Sequence, residues 1–209
     1  MLNEIHRLSP LPPAVIDGIR HSFDKDPGPE ELNAILDGDH ELKQLFYRFV
    51  NDAAFGKQQT GRNLLKALSH FGMDRVRATL VSLAFCRHLI DEGAGQGIDV
   101  RDFCTHSLST ALIMRVMGRF LNVKYTSHLY WVGLLHDLGR LALDATAGAD
   151  YGELLRCTTV DLAHAEQERF GLTSDEEWLR LADQWSFPRE LVDLYRDALQ
   201  ARTISRSGG

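Results

Sequence analysis

Apolar residues recur at intervals of three and four along almost the whole chain, and this periodicity restricts its fold more than any other feature. After Asp39, for example, one helix face would carry Leu42, Leu45, Phe46, Phe49 and Val50. Tyr47 and Arg48 would then face outward. Strict alternation of apolar and polar residues, which is typical of a half-buried strand, is nearly absent. The sequence therefore predicts an all-α protein.

Breaks in the periodicity divide the chain into about five helices up to Ile90 and about six after it. Between them, residues 92–98 are rich in glycine and predict a flexible linker. We expect one domain over residues 8–201, with an N-terminal lobe at about 8–91 and a C-terminal lobe at about 99–201. Residues 202–209 predict a disordered tail.

Two helices of the C-terminal lobe are predicted to be buried. The first runs from Phe103 to Leu121, and its stacked apolar residues are Leu108, Leu112, Val116 and Phe120. The second runs from Leu129 to Leu143 and contains Gly133 and Gly139. Glycine inside a helix costs about 1 kcal/mol relative to alanine. We therefore expect close packing against a neighbour at both glycines.

Charge and composition argue against several classes of protein. The chain has 209 residues, with 29 acidic side chains against 23 lysines and arginines. A net charge of -6 disfavours binding to nucleic acid. No segment approaches the roughly 20 apolar residues that span a bilayer. The three cysteines lack disulfide or metal-ligand spacing, and the first residues do not form a secretory signal. We expect a cytoplasmic protein.

His136 and Asp137 interrupt an otherwise apolar helical segment. An ionised carboxylate away from water needs a partner or a metal ion. Adjacent residues on a helix point about 100° apart, so this pair needs a further ligand from another helix. His106, on the preceding predicted helix, is the natural third member. The residues alone leave two interpretations open, a metal site and a hydrogen-bonded cluster that fixes helix packing.

Several short motifs occur in a fixed order along the chain: LSPLP (8–12), EL (31–32) with Asp39, VNDAAFG (50–56), ALSHFG (67–72), HS (106–107), GLLHDLG (133–139), FG (170–171) and WSFP (185–188). In this order the chain resembles the HDOD domain, the HD-related output domain of bacterial signalling proteins, over roughly residues 8–200. The resemblance implies a two-lobed, all-α domain related to the HD phosphohydrolases. It also implies a regulatory module rather than an enzyme.

The chain departs from the family pattern at three positions. Family members commonly have a histidine a few residues after the Phe-Gly pair and a His-His pair near the end of the last helix. This chain has Ser174 at the first position and Ala198 and Leu199 at the second. Three of six potential ligands are therefore missing, which makes a two-metal phosphodiesterase site improbable. His106, His136 and Asp137 remain as ligands for at most one divalent metal ion, and no other cofactor is expected.

These observations lead to one preferred function and two alternatives. We expect a non-enzymatic signalling or scaffold module whose partners are regulatory proteins, with neither nucleic acid nor membrane among them. The first alternative is a metal-dependent phosphohydrolase acting on a phosphomonoester or a nucleotide second messenger. The second is a binding site for a small nucleotide, for which basic residues are available at Arg115, Arg119, Lys124 and Arg140. A groove at the junction of the lobes would be the first place to look for a ligand.

Overall fold

The computed structural model describes the backbone of residues 8–24, 28–55, 64–157 and 161–207, and the side chains within these ranges except at 51–55 and 202–207. These ranges are largely helical and contain no β-strand, which confirms the predicted all-α fold. The helices are α1 (Pro13–His21), α2 (Glu30–Gly38), α3 (His40–Phe55), α4 (Leu64–Phe71), α5 (Met73–Asp91), α6 (Val100–Phe120), α7 (Thr126–Leu135), α8 (Leu138–Ala147), α9 (Ala149–Cys157), α10 (Leu162–Phe170), α11 (Ser174–Gln184) and α12 (Arg189–Ser207). Within the described ranges, no helix has the length and apolar character needed to cross a bilayer.

The chain forms two compact units. The first comprises residues 11–87, which include α1 to α4 and most of α5. The second comprises residues 88–209 together with the first ten residues, and it holds α6 to α12. The division falls between Arg87 and His88, a few residues before the predicted linker at 92–98. The assignment of residues 8–201 to a single domain stays a prediction.

The glycine-rich segment predicted as a flexible linker is tied to a buried carboxylate. Asp144, on α8, is fully buried and accepts hydrogen bonds from the backbone N–H groups of Gln96, Gly97 and Ile98, at 2.6 to 3.1 Å. A Cβ atom added at Gly97 would lie 2.7 Å from the Cα atom of Gly152. Here glycine permits a close backbone approach, and its small size explains the composition better than flexibility does.

The predicted start of α3 after Asp39 is correct, but its predicted buried face is only partly so. Asp39 caps the helix, since its Oδ1 atom accepts a hydrogen bond from the backbone N–H of Leu42 at 2.9 Å. Among the side chains expected to be buried, Leu45 and Phe49 are exposed, whereas Tyr47, predicted to face outward, is buried. The buried face of α3 therefore excludes two of the five apolar residues and includes Tyr47 instead.

The prediction that α6 is buried along its largest side chains is wrong. Leu112, Val116 and Phe120 are 51%, 63% and 80% exposed. The buried residues of α6 are mostly small and are Phe103, Cys104, Ser107, Ala111 and Gly118. A Cβ atom at Gly133 would lie 2.7 Å from the Cα atom of Ala111, so α6 and α7 meet through small side chains. Close backbone approach therefore decides which face of α6 is covered.

The single helix predicted from Leu129 to Leu143 is in fact two helices. α7 ends at Leu135 and α8 begins at Leu138, so that His136 and Asp137 form the turn between them. Asp137 has φ -101° and ψ 8°, outside the helical region. Its carbonyl oxygen accepts the backbone N–H of Arg140 at 2.9 Å, which starts the next helix. The turn therefore places the two polar residues between the end of α7 and the start of α8.

The predicted disordered tail is largely helical. α12 continues past Ala201 to Ser207, and only residues 208–209 of the tail lie outside the described part. Residues 202–207 contain neither glycine nor proline, whereas 208–209 are both glycine. The first strong stop signal for the helix is therefore Gly208.

Gly139 provides a test of the predicted close packing. A Cβ atom there would lie 1.9 Å from the carbonyl oxygen of Ser174 and 2.9 Å from the backbone nitrogen of Trp178. Because backbone atoms cannot move aside as a side chain can, we expect Gly139→Ala to lower the free energy of unfolding by about 3 kcal/mol, the upper end of overpacking costs. Gly38→Ala is the matched control, since nothing lies within 4 Å of its added Cβ atom. Equal urea midpoints for the two variants would contradict this packing.

Candidate functional site

The structure brings together the three residues predicted to form a metal site or polar cluster. The Nε2 atoms of His106 and His136 lie 3.1 Å apart. Each of these atoms lies 3.3 Å from Oδ2 of Asp137. His106 comes from α6, whereas the other two residues form the turn between α7 and α8. The turn lets neighbouring side chains converge that would diverge on a continuous helix.

A backbone contact fixes which nitrogen of His136 faces the cluster. Its Nδ1 atom lies 2.8 Å from the carbonyl oxygen of Gly133. A carbonyl oxygen can only accept a hydrogen bond, so Nδ1 carries the proton in the neutral ring. The lone pair of Nε2 is then directed toward His106 and Asp137. This orientation suits either a metal ligand or a hydrogen-bond acceptor.

Asp137 is ionised within this cluster. Burial acts to raise the pKa of its carboxyl group, but its interactions with His136, with the Arg140 guanidinium and with His106 outweigh burial and lower the pKa below its usual value. Nη1 of Arg140 donates to Oδ2 of Asp137 at 3.1 Å. The carboxylate therefore already has one permanent cation beside it.

The three donor atoms fit one divalent metal ion. Ligand atoms at 2.0 to 2.1 Å from a tetrahedral zinc ion are about 3.3 to 3.4 Å apart. The observed separations of 3.1 to 3.3 Å are close to that value. His106, Asp137 and His136 are the group of possible ligands found within the described ranges. The side chain of His106 is 57% exposed, so the cluster is accessible from solvent. A single ion held by three residues would keep a position open for water.

A cleft of about 230 Å³ adjoins this cluster. The residues that line it are Thr110, Met114, Val132, His136, Asp137, Arg140, Ser174, Asp175, Tyr195, Ala198 and Leu199. The three positions at which the sequence lacks a histidine of the family pattern, 174, 198 and 199, are all in this cleft. Alanine and leucine offer no atom to a metal ion. The cleft therefore lacks the three histidines of the family pattern, although it adjoins the cluster of His106, His136 and Asp137.

The hydroxyl of Ser174 forms a hydrogen bond with Glu166, which is not one of the three candidate metal ligands. It donates to Oε2 of Glu166 at 2.9 Å, and the backbone N–H of Ser174 donates to the same atom at 2.7 Å. Glu166 is fully buried, and its Oε1 atom also accepts a hydrogen bond from the hydroxyl of Tyr151 at 2.6 Å. Burial and the hydrogen bond to Glu166 raise the pKa of Tyr151, so its hydroxyl stays a donor. Ser174 thus anchors the start of α11.

Comparison with known proteins settles the family. The family model of the HDOD domain, which describes the sequence pattern of that family, matches residues 8–200. The chain belongs to the HDOD family. No curated protein matches it. The match covers nearly the whole of both compact units, as the resemblance of the short motifs predicted.

Solved structures show the same fold. One is an HDOD domain protein of unknown function from Geobacter sulfurreducens, with 20% sequence identity and a TM-score of 0.75 over 90% of this chain and 64% of that one. Another is a protein of Shewanella amazonensis SB2B provisionally named a phosphohydrolase, with 22% identity and a TM-score of 0.69 over 93% and 68% of the two chains. This HDOD chain thus spans about two thirds of each structure.

Asp175 and Tyr195 line the cleft but were not predicted as site residues from the sequence of this HDOD domain, whereas Arg140 was considered only as a contact for a nucleotide. Arg140 reaches Asp137, and the hydroxyl of Tyr195 donates to Oδ1 of Asp175 at 2.9 Å. The ring of Tyr195 stacks on Trp178 with 3.7 Å between centroids. A signal existed for Tyr195, since residues 195, 198 and 199 share one face of a helix. Of the basic residues considered for a nucleotide, only Arg140 is among those lining the cleft.

Proposed function

We propose that this HDOD domain is a non-catalytic regulatory module that acts by binding protein partners and holds at most one divalent metal ion. The observation that carries the proposal is the presence of Ser174, Ala198 and Leu199 in the cleft beside His136 and Asp137. In a two-metal hydrolase, the second ion stabilises the leaving oxygen. The residues at these three positions do not supply the imidazoles that would hold that ion.

One observation favours a second candidate, a metal-dependent phosphohydrolase acting on a phosphomonoester or a nucleotide second messenger. The three donors converge at metal-ligand spacing, and Arg140 adds a positive charge at the edge of the cleft. A guanidinium group is well suited to a phosphate. The same guanidinium group already donates to the Oδ2 atom of Asp137, the atom that would bind the ion. We therefore place this candidate second.

Metal content and turnover distinguish the two functions. The chain is purified without chelator or added metal and analysed for bound elements. It is then assayed for phosphatase and phosphodiesterase activity in Mn²⁺, Mg²⁺ and Fe²⁺. We expect no more than one ion per chain and no turnover above that of His136→Ala. His164→Ala is the matched control, because His164 is an exposed histidine on α10 whose Nε2 atom lies 3.4 Å from Oε1 of the equally exposed Glu168.

The variants also decide whether the cluster is structural. If the protein purifies without metal, His136→Ala should lower the free energy of unfolding by about 1 to 3 kcal/mol, since it removes the side-chain partner of the Gly133 carbonyl oxygen and one partner of Asp137. His164→Ala should leave it unchanged. Metal-dependent turnover that disappears in His136→Ala and persists in His164→Ala would establish the phosphohydrolase and overturn our proposal.

A further inference from the structure

The C-terminal half of α6 and the turn after it expose an unusual number of large apolar side chains. We call this surface the α6 patch, and it consists of Leu112, Ile113, Val116, Met117, Phe120, Leu121, Val123 and Tyr125. Each of these residues is between 41% and 80% exposed, and Phe120 is the most exposed. All eight fall within fourteen consecutive residues: 112, 116 and 120, like 113 and 117, are four residues apart along α6 and so share a side of the helix, and the other three follow its end.

The α6 patch is large enough for a specific interface. Large apolar side chains that are about half exposed leave on the order of 100 Å² each, so the eight together expose on the order of 800 Å². The largest apolar patch on a typical monomer is roughly 300 to 600 Å². A standard interface buries about 800 Å² on each partner. The patch therefore matches one complete side of such an interface.

The lysine and arginine side chains of the segment that carries the patch have no acidic counterpart within it. Residues 103–136 contain no aspartate or glutamate, although the whole chain has a net charge of -6. The basic residues in this segment are Arg115, Arg119 and Lys124. The guanidinium of Arg115 lies over the ring of Tyr130 at 5.2 Å, and Nζ of Lys124 lies over the ring of Tyr125 at 4.9 Å. The patch is thus apolar with a cationic border.

The cationic residues of the patch favour some binding partners over others. Three kinds of partner could cover an apolar surface: a second copy of the chain, a membrane or a helix of another protein. In a symmetric contact with a second copy, like charges would face one another, which is unfavourable. An anionic membrane would attract these three cations but would repel a chain with an overall charge of -6. An acidic helix satisfies both the apolar face and the cations. Ile113, Val116 and Phe120 have the i, i+3, i+7 spacing that packs against another helix.

We propose that the α6 patch docks an acidic amphipathic helix of a partner protein. The apolar face of that helix packs on Val116 and Phe120, and its flanking carboxylates meet Arg119 and Lys124. The inference rests on the proposed regulatory function, because it specifies the chemistry of the partner which that function requires. It also uses the large side chains of α6 that the fold leaves uncovered.

Three synthetic helical peptides test the chemistry of the partner. They share one leucine face and differ only in flanking glutamate, glutamine or lysine, and each is titrated into the full chain by fluorescence anisotropy. We expect the glutamate peptide to bind at least tenfold more tightly than the lysine peptide, with glutamine between them. Arg119→Glu should reduce or invert this preference, because it replaces a cation at the border of the patch.

Two apolar-to-acidic variants test the location. Phe120→Glu should weaken the glutamate peptide at least tenfold. Leu65→Glu is the matched control, because Leu65 is 71% exposed on α4, far from the patch in sequence, and its replacement should not affect binding. Circular dichroism of both variants checks that they stay folded. Equal affinity for the three peptides, no binding at all, or no loss in Phe120→Glu would overturn the proposal.

Other occupants give different results. A dimer in sedimentation that Phe120→Glu dissociates and Leu65→Glu does not would assign the patch to a second copy and overturn our choice of partner. Binding to phosphatidylglycerol vesicles that is lost in Phe120→Glu, without selectivity among the peptides, would assign it to a membrane and overturn it equally. Metal content and turnover are measured independently, so failure of the docking inference is distinguishable from failure of the proposed function.

Discussion

Replacing Arg77 with methionine should lower the free energy of unfolding of the unit formed by residues 11–87 by about 3 to 5 kcal/mol. The Arg77 side chain is 1% exposed, and its Nε atom donates to Oε1 of Glu31 at 2.6 Å. Its Nη2 atom donates to the carbonyl oxygen of Gly28. Without the guanidinium group, His21, at 3.0 Å, would be the side-chain partner left to the buried carboxylate of Glu31 among the residues that the structure describes.

A second variant separates the loss of the ion pair from the loss of packing. In the Arg77→Met background, Glu31→Leu removes the isolated charge, and we expect it to restore much of the lost stability. Arg87→Met is the control, since Arg87 is 35% exposed and its pairs with Asp39 and Glu41 reach solvent, so its loss should cost less than about 1 kcal/mol. Equal urea midpoints for Arg77→Met and Arg87→Met would contradict the larger contribution that we assign to the buried ion pair.

The positions of most helices were predictable because local chemistry starts and stops them. Proline at the first position begins α1, and Asp39 caps α3. Gly72, after α4, and Gly171, after α10, have φ values of +81° and +77°, a conformation that glycine adopts without strain. These signals act within a few residues of one another. Such local signals can be read without knowledge of the rest of the fold.

The buried faces were less predictable, because tertiary contacts choose them. Helical periodicity places Leu112, Val116 and Phe120 together, but it does not say what covers them. In α6 the covered face is the one with small residues, where Ala111 admits the backbone of Gly133. A scale that ranks side chains by hydrophobicity selects the opposite face. Because the small-residue face is the covered one, the large side chains of α6 stay exposed and form the α6 patch.

The candidate site was predictable in its members but not in its geometry. The cost of a carboxylate in an apolar segment pointed to His136, Asp137 and a third ligand, and His106 is the residue that lies beside them. The break between α7 and α8 was not predicted, because the apolar pattern continues on both sides of it. The cleft also depends on Asp175 and Tyr195, which come from helices later in the chain. Only tertiary packing brings those residues to the turn.

The relation between the site and the patch follows from their shared helix. His106 and Ile113 are seven residues apart on α6, close to two full turns, so they lie on nearly the same face. Thr110 and Met114, between and beside them, line the cleft. A ligand or metal ion that shifted α6 at His106 would therefore also act on the helix that carries the patch. One helix thus connects the cluster of His106, His136 and Asp137 to a surface suited to a partner.

Leu134→Asp should unfold the unit that contains α6 to α12. Leu134 lies on α7, two residues before His136, and its side chain is fully buried. Aspartate there would bury a charge among apolar neighbours, including Leu135 and Trp131, at a cost of several kcal/mol. The whole stability of a domain is only about 5 to 15 kcal/mol. We therefore expect loss of the cooperative thermal transition of this unit.

Hydrogen exchange read by mass spectrometry measures this effect on each unit separately. In Leu134→Asp, we expect amide protection to be lost throughout α6 to α12. Leu112→Asp is the matched control, because Leu112 lies in the same unit and is 51% exposed, so that its new charge stays in water and costs less than about 1 kcal/mol. If Leu134→Asp kept both its protection and its thermal midpoint, α7 could not be the buried helix that positions His136 and Asp137.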